Sequence, residues 1–116
     1  MAKSPHEYVG FGMLTPVEIM VLEKLPKHNT GAVVTEVNEF VFDDAAIVAC
    51  LLRQWEISAG MIGTAVGDDD RGHALARRVK DWGVQGSVRF TKEYKTPLEV
   101  NVSDRMGART YFWQRT

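Results

Sequence analysis

The residues best placed to do chemistry lie in one run, Ile62-Gly63-Thr64-Ala65-Val66-Gly67-Asp68-Asp69-Asp70-Arg71-Gly72. Three contiguous aspartates could hold a cation or cap a helix. Adjacent carboxylates do not supply the alternating oxygens of a calcium loop. An aspartate just ahead of a helix accepts its unpaired N–H groups and complements its positive end. Capping is therefore the expectation, with Gly63 and Gly67 allowing positive φ or a close approach to a neighbour. The run reads as the end of a buried strand, a turn and an acidic helix start. His6, His28 and His73 are far apart and lack the spacing of a metal site. Gly10-Phe11-Gly12-Met13-Leu14-Thr15 falls short of a dinucleotide fingerprint, because Thr15 stands at the third glycine and no helix pattern follows. No nucleophile motif of the G-x-S-x-G kind occurs. The single cysteine, Cys50, excludes an intrachain disulfide and, within an apolar run, reads as a small core residue.

The elements that must position these residues alternate. Residues 8–13 read as a short apolar strand. Residues 17–25, closed by Pro26, and 32–42 read as two further strands joined by a polar turn. A first helix is expected over 43–55, capped by Asp43 or Asp44. Its run from Ala45 to Leu52 carries no charge, so it should be buried on all sides. A strand over 57–62 leads into the Gly–Asp run, and a helix over 70–82 follows with Leu75, Val79 and Trp82 on one stripe. Gly83 ends it, and Arg71, Arg77, Arg78 and Lys80 form a solvated face. Residues 88–91 read as a short strand, and 97–102 with 110–114 as a hairpin around a turn holding Asp104 and Gly107. Met13, Met20 and Met61 read as core.

Strand–helix–strand units predict a mainly parallel α/β sheet with right-handed crossovers. The flanking strand pairs have no helix between their members, and these predict a separate small antiparallel sheet. The 116 residues make one domain or part of one, with 45% hydrophobic and 25% charged residues, as in an ordinary globular chain. A net charge of −1 gives no reason to expect nucleic acid or an anionic membrane. The longest apolar run, 45–52, is too short to span a bilayer, and the N-terminus lacks the apolar core of a signal peptide. Cytoplasmic placement is the expectation.

The wording of the 62–72 run resembles the VGDDxxG segment of the ribokinase-like (PfkB) carbohydrate kinases. The resemblance extends from Tyr8 to Arg115 through Gly12 to Leu25-Pro26, Trp82-Gly83-Val84 and Asp104…Gly107-Ala108-Arg109-Thr110, in family order. It implies an α/β body (about 8–13 and 43–92) and a projecting antiparallel β lid (about 17–42 and 97–114), all within residues 1–116 as the N-terminal part of one domain. It also implies an activity: ATP-dependent, Mg²⁺-assisted phosphoryl transfer to a sugar or sugar acid.

Two departures qualify that activity. The family's substrate-binding glycines and Asn near the first helix fall here on Asp43, Asp44 and Ile47 or Val48, and its sugar-binding Asp falls on Val17. Apolar side chains cannot replace those hydrogen bonds. The Gly-Ala-Gly-Asp segment carrying the family's general base is also missing, so no catalytic residue is assigned. The chain alone is expected to be inactive and to bind no cofactor, ATP and Mg²⁺ belonging to a longer parent.

Family members acting on sugar acids resemble this chain in an aromatic lid strand followed by Arg. Arg115 is therefore the candidate for a carboxylate, with Tyr111 or Trp113 covering the sugar's apolar face. The competing expectation for Arg115 is a solvated strand end. Two alternatives to the kinase reading remain: a non-catalytic module dimerising through its lid strands, and an unrelated α/β binding domain.

Overall fold

The computed structural model describes residues 7–42 and 45–115. In chain order the first elements are β1 (Tyr8–Gly12), β2 (Thr15–Leu22), β3 (Val34–Phe42), α1 (Ile47–Gln54) and β4 (Ala59–Gly63). They are followed by β5 (Val66–Gly67), α2 (Asp70–Asp81), β6 (Phe90–Thr91), β7 (Leu98–Asp104) and β8 (Arg109–Gln114).

These elements sort into a body and a lid. In the body, β1 and β4 run parallel, from Tyr8 opposite Ala59 to Gly12 opposite Gly63. Gln85 extends β4 by a parallel bridge to Gly60, and β5 pairs with β6 in parallel. The core gathers Ala45, Ala46, Ala49 and Cys50 around α1, Ala59 and Met61 of β4, Val66, and Leu75 and Val79 of α2. Burial raises the Cys50 thiol above its ordinary pKa, as a small apolar-shelled core residue should be.

α2 forms as the sequence predicts. Asp69 takes an extended backbone and its side chain accepts from the Gly72 N–H. Leu75 and Val79 are buried, the half-buried Trp82 meets Phe40 edge-to-face with centroids 5.6 Å apart, and Gly83 ends the helix at φ +79°. α1 differs. It is shorter than expected, its N-cap position is Ala46 without a side-chain cap, and Asp43 and Asp44 lie outside the described residues. Nor is it buried on all sides: Val48 and Leu51 are 40% and 42% exposed. Only the side carrying Ala49 and Cys50 meets the sheet, and no described element covers the other.

The lid is a four-stranded sheet in the order β3-β2-β7-β8. Its two hairpins are antiparallel, as expected, but they meet through β2 and β7, which run parallel from Val17 opposite Glu99 to Leu22 opposite Asp104. The body from α1 to β6 lies in the long crossover between the two hairpins, as a parallel junction demands. Asp104 closes the second hairpin by accepting from the N–H groups of Met106 and Ala108, and Gly107 takes φ +84°. The lid strands begin and end a few residues from the expected bounds: β2 spans Thr15–Leu22 and β3 Val34–Phe42. With the lid projecting, the molecule measures 60 × 35 × 18 Å.

Candidate functional site

Open parallel sheets bind ligands beyond the carboxyl ends of their strands. β1 and β4 end side by side at Gly12 and Gly63. The chain then turns away from both, held by a hydrogen bond from the Thr64 N–H to the Gly12 carbonyl at 3.0 Å. Leu14 packs tightly there: a Cβ on Gly63 would stand 2.5 Å from its side chain, so glycine serves close approach at this position.

Above these strand ends lies a cleft of about 380 Å³, lined by Met13, Leu14, Thr64, Ala65, Tyr94, Pro97 and Arg115. Its floor comes from the body, and Pro97 and Arg115 come from the two ends of the second lid hairpin. Tyr94, in the segment between β6 and β7, makes a side wall and donates from its hydroxyl to the Ala65 carbonyl at 2.8 Å. The Arg115 guanidinium reaches in, with Nη1 4.0 Å from the Met13 sulfur and its carbon 5.8 Å from the centre of the Trp113 ring. An exposed positive group beside a largely apolar cleft suits a small anionic ligand.

The sequence-derived candidates separate here. Arg115 lines the cleft, whereas Tyr111 and Trp113 do not; they stack on one another on β8, centroids 6.1 Å apart and planes within 3°. Trp113 reaches the cleft only through the guanidinium above it. Met13, expected in the core, is 40% exposed at the cleft mouth, because the chain crosses from body to lid there. Thr64 lies in the run that the sequence singles out, whereas Tyr94 carries no signal there. Tyr94 sits in an aperiodic stretch, and only the fold carries it to Ala65. Val17 is buried at the lid root and Ile47 opens α1, both apolar where the family pattern has polar groups.

The Asp run divides its labour. Both oxygens of Asp69 are engaged: Oδ1 accepts from the Gly72 N–H at 2.8 Å and the Thr96 hydroxyl at 2.7 Å, and Oδ2 from the Thr96 N–H at 2.9 Å. Burial alone would raise this carboxyl. The Thr96 N–H and hydroxyl, the Gly72 N–H and the charge of Arg71 together outweigh it and hold Asp69 below its ordinary pKa. Gly67 and Gly72 make room for the knot, since a Cβ on Gly67 would stand 2.5 Å from the Thr96 nitrogen and one on Gly72 2.2 Å from the Gly67 carbonyl oxygen. Asp68 pairs with His73 at 2.8 Å, and His73 stacks on Phe90 at 4.2 Å. With Asp69 saturated and Asp68 paired, the run does not fit a cation, and no group of three potential ligands occurs among the described residues. No reaction step is assigned to ATP or Mg²⁺ on this chain.

No family model and no curated protein matches this sequence. Solved structures do match it, and they define the class. The chain has the ribokinase-like fold over the N-terminal part of that fold. A structure described as a ribokinase from Agrobacterium tumefaciens superposes with TM-score 0.80 at 20% identity, covering 90% of this chain and 34% of that one. A ribokinase from Arabidopsis thaliana, complexed with ribose and ATP, gives TM-score 0.71 at 19% identity, covering 97% of this chain and 36% of that one. A nucleoside kinase from Methanocaldococcus jannaschii, an archaeal member of the ribokinase family, gives 0.67 at 18% identity, covering 92% and 36%. The chain thus spans about a third of the length of these proteins.

Proposed function

We propose that this chain is the lid and sugar-side portion of a PfkB-type carbohydrate kinase, acting by ATP-dependent phosphoryl transfer to a sugar or sugar acid. The observation that carries the reading is the match to about a third of the ribokinase-like fold, together with a body left bare on one side. Phe11 and Ile62, opposite one another on β1 and β4, are 77% and 59% exposed. Parallel sheets are covered on both faces, and the remaining two-thirds of such a fold would supply that cover, the base and the nucleotide site. In this reading residues 1–116 belong to one domain, the protein is cytoplasmic, and the chain alone binds neither ATP nor Mg²⁺ productively.

Within that reading Arg115 selects the substrate by pairing its planar donors with a sugar-acid carboxylate, while Trp113 steadies the guanidinium. The test is a coupled phosphorylation assay over paired neutral sugars and sugar acids. The 116-residue chain should show no turnover above a mock preparation. A longer chain that includes the base segment should turn over and favour the acid. Arg115→Ala should remove that preference, at a cost of about 2–5 kcal/mol if the pair is desolvated. An unchanged acid-to-neutral ratio in the variant would reject the role of Arg115; absence of turnover in the longer chain would reject the kinase reading.

A second reading has an observation of its own. Val37, on β3, and Phe112, on β8, are more than half exposed on the lid, and uncovered apolar sheet surface commonly marks an interface. It takes the lid as a homodimerisation surface. Light scattering that gives a defined dimer mass would support it, and a monomer at high concentration would reject it.

A further inference from the structure

Two polar side chains of β7 are buried where the lid offers them no hydrogen-bond partner. Glu99 is 8% exposed and Asn101 4%. Alternate residues of a strand share a face, and the register sets Glu99 between Val17 of β2 and Trp113 of β8. Asn101 falls between Ile19 and Tyr111 on the next rung. Among the described residues the Glu99 carboxylate has neither a hydrogen bond nor an ion pair. Its oxygens keep a narrow opening to solvent, whereas the Asn101 Oδ1 is sealed and orphaned. Asn101 therefore marks the inner limit of this face, and Glu99 is the group that a ligand meets. A buried carboxylate without a donor is unfavourable, and apolar Val17 and Ile19 show what the fold alone would accept there.

The Arg115 cleft adjoins this rung. Glu99 follows Pro97, a wall of that cleft, by two residues, an advance of about 7 Å along the strand. The Arg115 guanidinium sits over the Trp113 ring, and Trp113 stands opposite Glu99. The two opposite charges nevertheless form no ion pair with each other. A fixed donor and a fixed acceptor are thus held apart, with an aromatic face between them.

We propose that Glu99 is a specificity-determining residue of the Arg115 cleft, accepting hydroxyl donors of an extended polyhydroxy acid whose carboxylate Arg115 holds. An ionised carboxylate only accepts, so Glu99 favours hydroxyls and repels a second acidic group. The advance of about 7 Å from the cleft wall to Glu99 sets the ligand's length. A sugar acid of about five or six carbons spans it, whereas glycerate satisfies Arg115 and falls short of Glu99. A site built to hydrogen-bond a hydroxyl discriminates strongly against a ligand that lacks it. The proposal rests on the Arg115 reading above, but on binding and not on turnover.

The test is an NMR titration of the whole isotope-labelled chain with gluconate, glycerate and the neutral polyol sorbitol. Gluconate should bind about tenfold more tightly than glycerate, shifting the Glu99 and Trp113 amides, and sorbitol should bind more weakly than gluconate. Glu99→Leu should bring gluconate down to the glycerate level and leave glycerate unchanged. Glu99→Gln, which keeps one acceptor, should retain part of the preference. Both variants remove an unpaired buried charge, so their thermal midpoints should not fall. Arg115→Ala should weaken both acids alike and leave sorbitol unchanged. Equal affinity for the two acids in the parent, or gluconate binding unchanged or tighter in Glu99→Leu, would overturn the role of Glu99 alone. Glu99→Leu weakening both acids equally while melting lower would also overturn it, as the mark of a structural residue. Sorbitol binding as tightly as gluconate would instead reject the Arg115 reading, and no binding of any probe would reject both.

Discussion

The body and the lid are made of similar amounts of chain and are held together in different ways. In the body, side chains interlock: Ala45, Ala46, Ala49 and Cys50 are 0% exposed, and Leu75 and Val79 from α2 close over them. In the lid, all six residues of β8 are exposed, and the aromatic pair Tyr111 and Trp113 stacks on itself rather than on a core. The ladder hydrogen bonds hold the lid's strands in register, and its buried apolar side chains are few: Val17 and Val41 at the root and Leu22 at the far end of β2. A sheet that is fully paired but thinly covered keeps its shape while leaving its faces available. The difference teaches that this chain gathers its buried core in one region and its uncovered sheet surface in the other.

Core truncation should expose that contrast most strongly. Leu75→Ala removes a side chain buried to 2%, and should cost about 2–5 kcal/mol in urea denaturation, as buried leucine truncations do. Phe112→Ser on the lid should stay within about 0.5 kcal/mol. If the two variants lost comparable stability, the lid would have to be a second core and the division would fail.

Next in size, Gly67→Ala tests the junction where the regions meet. The new Cβ would collide with the backbone at Lys95 and Thr96, and overpacking of this kind costs about 1–3 kcal/mol. Gly31→Ala, where nothing lies within 4 Å, is the control and should be close to neutral. Equal effects at the two glycines would show that the junction is loose.

A smaller effect is expected on pH. Asp69 has its carboxyl pKa lowered in the folded chain, so the folded state favours the charged form. The stability it contributes is complete above about pH 4, the ordinary aspartate value, and is lost as pH falls through the depressed folded value. Asp69→Asn should therefore flatten the acid limb of the stability–pH curve and leave the slope between pH 6 and 8 unchanged. A parallel acid limb in the variant would mean that Asp69 does not sense the fold. Below that size, Trp113→Ala should leave stability nearly unchanged while altering the freedom of Arg115, visible as faster arginine side-chain relaxation by NMR.

Much of this was legible before folding. The α2 helix followed from its apolar stripe, with Leu75 and Val79 spaced to fall on one face, and from Gly83 beyond its end. The second lid hairpin followed from alternation about Asp104 and Gly107. Both are local: periodicity and turn chemistry act within a few residues. The capping role of the Asp run was legible for the same reason, though not which aspartate would do it. Where local rules failed, the cause was a partner distant in sequence. The uncharged run of α1 forecast burial on all sides, yet Val48 and Leu51 face outward because periodicity reports what a helix could bury, not what stands beside it.

What the sequence by itself determined is the set of elements and the chemistry each carries: a carboxylate at a helix start, glycines at 63 and 67, an arginine after an aromatic strand. What only the tertiary structure decided is which of them meet. The parallel junction of β2 and β7, the Thr96 donors on Asp69 and the Tyr94 wall of the Arg115 cleft all join residues far apart in the chain. Such contacts cost loop-closure entropy and are repaid by burial and hydrogen bonding that exist only once the sheet has assembled. No window of neighbouring residues contains both sides of that balance, so the site belongs to the fold.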